Sequence, residues 1–174
     1  MKQLIRRAQE RDSDAFVELM RLCERDMYRV AVSFFRHDSD IADAMQETAL
    51  ACFEHLPSLR KPEYFKTWLL RILINKCNDI LRAEKRSVPM ETLPEEGCHD
   101  QAHANMEFGM LMDALNEPYR TVLVLRYGEG LSVRQIGDIL GITDSAVKQR
   151  LKRGRDKARE LFEPDRPTKM EVLI

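Results

Sequence analysis

Residues 133–152, VRQIGDILGITDSAVKQRLK, leave the chain few ways to fold. Ile136, Leu140, Ile142, Val147 and Leu151 are apolar at the spacing of two consecutive helices that share one core. Gly137 carries no side chain at the point where the two helices would cross closely. Gly141 stands at the turn, where a positive φ is cheap only for glycine. Thr143 suits the cap of the second helix, with Asp144 in its first turn. Small, apolar and glycine positions together predict a helix-turn-helix.

The second helix of this unit continues with Lys148, Arg150, Lys152, Arg153, Arg155, Lys157 and Arg159, opposed only by Asp156. Its apolar stripe (Val147, Leu151, Ala158, Leu161) turns these cations outward together. That density exceeds what a merely solvated face needs and points to DNA: Arg and Lys hold phosphates and also reach guanine edges in the major groove. The 174 residues carry a net charge of −1. Near-neutrality argues against indiscriminate coating of nucleic acid, but the charge is uneven. Residues 87–112 hold five acids (Glu91, Glu95, Glu96, Asp100, Glu107) and no Lys or Arg. With Pro89, Pro94 and Gly97 and no helical period, residues 87–104 read as a flexible acidic linker. The expected architecture is all-α: a helical bundle over 1–86, the linker, a helix-turn-helix domain over 105–162 and a tail over 163–174.

In the first half, Phe16, Leu19, Met20, Cys23, Met27, Val30, Ala31 and Phe34 recur at steps of three and four, the stripe of one long helix capped by Asp12 or Ser13. A second helix follows Asp38-Ser39, buries Ile41, Met45, Ala49, Cys52, Phe53 and Leu56, and stops at Pro57. Its other face carries Asp40, Asp43, Gln46, Glu47 and Glu54; Asp43, Gln46 and Glu47 are neighbours at i, i+3 and i+4. By pattern alone this is either a solvated face or a docking surface for a basic partner. A third helix starts near Pro62, with Phe65, Trp68, Leu69, Ile72, Leu73, Cys77, Ile80 and Leu81 on its apolar side. Trp68 reads as a core residue. Arg71, Asn75, Asn78 and Arg82 form a polar stripe continued by Lys85 and Arg86, and Lys66 adds to its basic character. Cations for phosphates, amides for exposed base edges and nearby rings (Tyr64, Phe65, Trp68) that can stack on bases or wedge against a strand suit nucleic acid.

Other classes are weakly served. No apolar run approaches the ~20 residues that span a bilayer, and Met1–Arg7 lacks the apolar core of a signal peptide, so the expected location is the cytoplasm. Cys23, Cys52, Cys77 and Cys98 form no CxxC and read as free thiols. Cys98, His99 and His103 find no fourth ligand at a convincing spacing, so no metal is expected. No nucleophile elbow, P-loop or HExxH occurs; the chain is not read as an enzyme and no cofactor is implied.

The whole arrangement, from about residue 8 to 162, resembles the extracytoplasmic-function (ECF) group of the sigma-70 family of bacterial RNA polymerase sigma factors. DIADAMQETALACFEHL (40–56) is similar to the segment that docks on the β′ clamp helices of core polymerase. FKTWLLRILINKCNDILR (65–82) is similar to the helix that melts and reads the −10 promoter element, and 114–161 follows region 4, which reads the −35 element. The resemblance implies that Asp40, Asp43, Gln46 and Glu47 bind core polymerase. It implies that Lys66, Arg71, Asn75, Asn78 and Arg82 lie on −10 DNA. It places Arg126, Lys148, Gln149, Arg150, Lys152, Arg153 and Arg155 on −35 DNA. Implied partners are the β′ clamp helices and β flap of core RNA polymerase, promoter DNA and an anti-sigma factor, which in this family often holds its sigma factor at the inner membrane face. Where many relatives have a Gly-Thr-Val step into the recognition helix, this chain has Ser145-Ala146-Val147. Two alternatives stay open: a helix-turn-helix regulator acting without core polymerase, and a sigma mimic that titrates an anti-sigma factor.

Overall fold

The computed structural model describes residues 1–87 and 114–162, and every regular element among them is helical. The expected linker, apart from Ser87 at the end of the last helix of the first half, and the expected tail lie outside the described residues. Helix α1 (Lys2–Gln9), which the sequence reading did not separate, buries Leu4, Ile5 and Ala8 and packs on α2 (Ser13–Ala31). The chain turns between them at Arg11, whose φ of 67° costs a non-glycine residue about 1–2 kcal/mol. The Arg11 guanidinium is tied down: it donates to the Phe53 carbonyl at 3.1 Å and lies over the Phe53 ring, 5.0 Å from its centroid. Asp12 caps α2, accepting from the Ala15 amide at 2.9 Å and from Arg7 at 2.6 Å. The buried stripe of α2 runs Ala15, Leu19, Cys23, Met27, Val30 and Ala31. The helix ends there, so Phe34 is buried from the turn that follows and not, as the stripe predicted, from the helix itself.

Helix α3 (Asp38–His55) starts at Asp38, earlier than expected, and hands over to a 3-10 turn at Leu56–Ser58 containing Pro57. Its buried strip is Ile41, Ala44, Thr48 and Cys52. The expected face was rotated from this: Met45 and Ala49 are half-buried and Phe53 is 38% exposed. Hydrophobicity alone misplaces the strip because two of its members are a small residue and a threonine. The Thr48 hydroxyl satisfies itself on the Ala44 carbonyl at 2.6 Å, which makes its burial inexpensive. A 3-10 turn at Pro62–Tyr64 leads into α4 (Phe65–Ser87), which packs along α3 and α2. Phe65, Leu69, Leu70, Leu73, Ile74 and Cys77 are buried on it, and Trp68 is half-buried against the same core, as its core reading required.

In the second half, α5 (Glu117–Leu123) continues into a π-helical segment (Val124–Gly128), followed by α6 (Val133–Leu140) and α7 (Asp144–Phe162). A capping box starts α6: Ser132 accepts from the Gln135 amide at 3.2 Å, and the Gln135 side chain accepts from the Ser132 amide at 2.9 Å. Helices α5 and α7 meet where Gly154 has no side chain; a Cβ there would stand 3.0 Å from Leu123 Cδ1. The two halves, expected as units joined by a tether, also pack on each other: α6 lies on α4, the π-helical segment lies on α2, and the buried apolar residues form one cluster.

The thiols of Cys23, Cys52 and Cys77 are free and buried, and burial pushes them up to about 11, about 12 and about 12. Because the thiolate is the reactive species, Cys52 and Cys77 should react with a maleimide about a thousandfold more slowly in the folded chain at pH 8 than after unfolding. Peptide-level mass spectrometry of alkylated protein reads this. The Asp12 carboxyl is held below its ordinary 3.8 by the Ala15 amide and then by Arg7. A depressed folded-state value means its stabilisation is complete above about pH 4 and disappears as pH falls through the folded value. The fall in melting temperature on acidification below pH 4 should therefore be shallower in Asp12→Asn, whose melting temperature is already lower at pH 7.

Candidate functional site

Three polar surfaces emerge from this packing. The first is the outer face of α3. Asp43, Gln46 and Glu47 are exposed and adjacent, and Asp40 is half-buried one turn earlier. Leu50, 55% exposed, continues the same face one further turn along, and Phe53 flanks it, edge-on to Phe16 at 5.1 Å between centroids. An acidic and amide patch that runs into apolar side chains suits a partner with basic and apolar groups in the same order. Glu47 accepts from Lys76 Nζ at 3.1 Å, which ties the patch to α4.

The second surface is the solvent side of α4. Arg71, Asn75 and Arg82 are exposed and Asn78 is half-exposed, so the structure brings these four residues of the expected set together; Lys66, expected with them, lies instead on the side of α4 that packs towards α2, where Asp26 and Glu129 hold it. Arg82 also pairs with Asp79 at 3.1 Å. The exposed ring beside the stripe is Tyr64, at 55%, with Lys61 Nζ over it at 5.7 Å.

The third is α7 with the turn before it. Gly141 has φ 65° and closes α6, and the Thr143 hydroxyl accepts from the Ala146 amide at 3.2 Å, as expected for a capped recognition helix. A Cβ on Gly137 would meet the Ile142 carbonyl oxygen at 2.8 Å, so the crossing requires glycine there. Lys148, Gln149, Lys152, Arg153 and Arg155 are exposed and Arg150 is half-buried. Gln149, Arg150 and Arg153 line an open depression with Asn116, Pro118 and Tyr119. Arg155 donates to the Tyr127 hydroxyl at 3.1 Å, and Lys157 lies over the Tyr119 ring at 5.3 Å. Arg126 stays exposed but donates to the Leu131 carbonyl at 2.8 Å, so it braces the turn before α6 as well as facing solvent.

Sequence reasoning missed a polar cluster between the halves. The Glu129 side chain is 0% exposed; Oε1 accepts from Arg29 Nη1 at 2.8 Å and Oε2 stands 2.9 Å from Lys66 Nζ. Lys66 also pairs with Asp26 at 2.9 Å. Burial alone would lower the Lys66 ammonium, but Asp26 and Glu129 outweigh it and raise it. Nearby, buried Arg120 donates to the Ser33 carbonyl at 2.7 Å, and the Ser33 and Thr121 hydroxyls meet at 3.1 Å. The only local signal was Glu129 lying between two glycines, which reads as an ordinary loop acid. No group of three or more His, Cys, Asp or Glu gathers as a metal site among the described residues, and Cys98, His99 and His103 lie outside them. No helix among the described residues is long and apolar enough to cross a membrane.

Residues 19–87 match the family described as Sigma-70 region 2, and residues 105–157 match Sigma-70, region 4. The RNA polymerase sigma factor SigV of Bacillus subtilis (strain 168) is 31% identical over 134 residues, spanning 75% of this chain and 80% of the relative. The ECF RNA polymerase sigma factor SigW of the same organism is 26% identical over 179 residues, spanning 92% and 95%. Among solved structures, CnrH in complex with the cytosolic domain of CnrY superposes with a TM-score of 0.68 at 25% identity, covering 95% of this chain and 98% of that one. The sigma factor RpoE of Bartonella quintana, in complex with the anti-sigma factor NepR, shares the fold with a TM-score of 0.70 at 22% identity, covering 87% and 98%.

Replacing Gly137 by alanine sets a helix-propensity gain of up to about 1 kcal/mol against a backbone clash. The clash should win, because the Ile142 carbonyl is held by the Gly141 turn and the Thr143 cap. Forcing a methyl into a packed crossing costs about 1–3 kcal/mol. Gly137→Ala should lower the melting temperature in differential scanning calorimetry through that clash, while Gly130→Ala, with nothing within 4 Å but φ 69°, should lower it through backbone strain alone.

Proposed function

Because the chain belongs to the ECF group of RNA polymerase sigma factors, we propose that its three polar surfaces divide the work of such a factor. A sigma factor directs core RNA polymerase to promoters. The α3 face, with Asp40, Asp43, Gln46 and Glu47, docks on the β′ clamp helices, and Leu50 adds apolar contact beside them. The α4 stripe of Arg71, Asn75, Asn78 and Arg82 holds the opened −10 strand, with Tyr64 available to stack on an unpaired base; Lys66, held by Asp26 and Glu129 on the packing side of the helix, stays outside that surface. Helix α7 enters the major groove of the −35 element with Lys148, Gln149 and Lys152 towards base edges. Arg126, Arg150, Arg153 and Arg155 hold phosphates, and the region 4 half meets the β flap.

The observation that carries this reading is the order of surfaces along one chain: acidic docking helix, amide and cation stripe, then capped recognition helix. A regulator that never met polymerase would need only the third. No bond is made or broken by the protein in this scheme. Two weak readers are tethered, polymerase sets their spacing, and the effective concentration gained by linkage turns them into one strong reader. Opening the −10 region costs unstacking energy, which captured single-stranded bases repay. CnrH is solved in complex with the cytosolic domain of CnrY, which supports a second protein as a further partner here, and the family resemblance makes that partner an anti-sigma factor. Such a complex would hold the chain in the cytoplasm or at the inner face of the membrane.

Run-off transcription with bacterial core polymerase and a library of promoter fragments tests the assignment. Initiation should require the chain, and Asp43→Ala with Gln46→Ala should reduce it at least tenfold without changing the circular dichroism spectrum. Tight binding of the free chain to duplex promoter with no polymerase-dependent initiation would instead establish the plain regulator. Neither activity would point to the sigma mimic. Lys148→Ala with Arg153→Ala should weaken promoter binding by the holoenzyme and flatten its dependence on salt, since each phosphate contact adds roughly 0.9 to the slope of log K against log salt.

A further inference from the structure

Tyr127 is 61% exposed, the most exposed aromatic residue among those described, and the core does not use its ring. The backbone puts it there. The Glu129 amide donates to the Val124 carbonyl at 3.0 Å, an i→i+5 bond, so residues 124–128 form one widened turn. Val124 and Leu125 are buried on this turn, whereas Arg126, Tyr127 and Gly128 face solvent together. Helix α7 crosses close by, with Gly154 packed on Leu123. The next residue, Arg155, reaches back from α7 and donates through Nη1 to the Tyr127 hydroxyl at 3.1 Å. A hydroxyl that accepts a hydrogen bond still has its own hydrogen to donate, and a guanidinium carries five N–H donors in a fixed fork. The pair thus offers O–H and N–H donors side by side on an exposed, singly charged site. Adjoining Arg126 is braced on the Leu131 carbonyl at 2.8 Å.

We propose that Tyr127 is a further DNA-contacting residue of the −35 surface: its hydroxyl holds the Arg155 guanidinium in place and, together with it, seats one backbone phosphate of the duplex. A phosphodiester presents two anionic oxygens, which accept one bond from the hydroxyl and one from the guanidinium. An arginine on an exposed helix face loses side-chain freedom when it closes on a phosphate. The bond to Tyr127 restricts Arg155 before DNA arrives, so less freedom is lost on contact. Such a seat reads no base. It fixes the register of α7 on the duplex, as sugar and phosphate contacts do. Tyr127 stands outside the helix-turn-helix, on the turn before α6, so the seat spans two elements and resists rotation of α7 in the groove. This inference rests on the assignment of Arg155 to −35 DNA.

The test is a double-mutant cycle in the full chain, with Tyr127→Phe, Arg155→Ala and both together, each assembled with core polymerase on a promoter fragment recovered by run-off transcription. Tyr127→Phe keeps the ring and removes only the hydroxyl, so its melting temperature should equal that of wild type. It should weaken promoter binding about threefold or more, and Arg155→Ala about tenfold. The double variant should lose clearly less than the product of the two single losses, because both side chains serve one phosphate. Methylphosphonate substitution of single backbone linkages around the −35 element should reveal one linkage whose neutralisation weakens wild type and leaves Tyr127→Phe nearly unaffected. Wild-type affinity in folded Tyr127→Phe, or losses that multiply independently, would overturn the seat. Tyr127→Ala decides if Tyr127→Phe does not fold, and unfolding of both would also overturn it, since the residue would then be holding the fold. Full affinity in Arg155→Ala would fault the placing of Arg155 on −35 DNA and this inference with it. Weakened Arg155→Ala beside unchanged Tyr127→Phe would fault this inference alone. If run-off transcription yields no promoter, the sigma assignment fails, and the same cycle is read with the free chain on a mixed-sequence duplex.

Discussion

Leu69, Leu70, Leu73, Ile74 and Cys77 are each at most 2% exposed on α4, and that burial aims every other side chain on the helix. With an apolar flank pressed onto α2 and α3, Arg71, Asn75 and Arg82 have nowhere to point but solvent. The same helix receives α6 from the second half, so it is the element through which the two halves feel each other. Fully burying a leucine or isoleucine is worth roughly 1.5–3 kcal/mol, whereas an exposed ion pair is worth about 1 kcal/mol or less. The hydrophobic contacts therefore set the position of α4, and the polar stripe follows from it.

The region 4 half is organised by absence of side chains as much as by their presence. Gly137 admits the Ile142 carbonyl, Gly141 supplies the left-handed turn, and Gly154 lets α5 approach α7. These close approaches hold α7 so that Lys148, Lys152 and Arg153 project together from a rigid base. A rigid base matters because phosphate contacts give affinity only when the cations reach the backbone in register.

Periodicity found α2, α3, α4 and the α6–turn–α7 unit, and turn chemistry found the roles of Gly141 and Thr143 and narrowed the cap of α2 to Asp12 or Ser13, of which the structure uses Asp12. It misjudged α3 by one strip, because Ala44 and Thr48 do not look like core residues until a neighbouring helix covers them. Phe53, conversely, reads as core but lies 38% exposed beside the Arg11 turn. The short α1 escaped notice since eight residues with three apolar positions scarcely differ from a charged end. The exposed stripes on α3, α4 and α7 were nevertheless legible, because a helix that buries one face must show the other.

The helical class, the capped turn, the basic recognition helix and the order of the three surfaces follow from local physics: spacing at 3.6 residues, glycine's freedom at positive φ and the charge on consecutive turns. These interactions lie within a few residues, so they are written in the chain itself. The meeting of Arg29 with Glu129, of Arg120 with Ser33 and of Lys66 with both Asp26 and Glu129 was decided only by tertiary packing. Residues 29 and 129 lie a hundred positions apart, and no local propensity distinguishes an acid destined for burial between two cations from one left in water. Which it becomes depends on how the two halves come together.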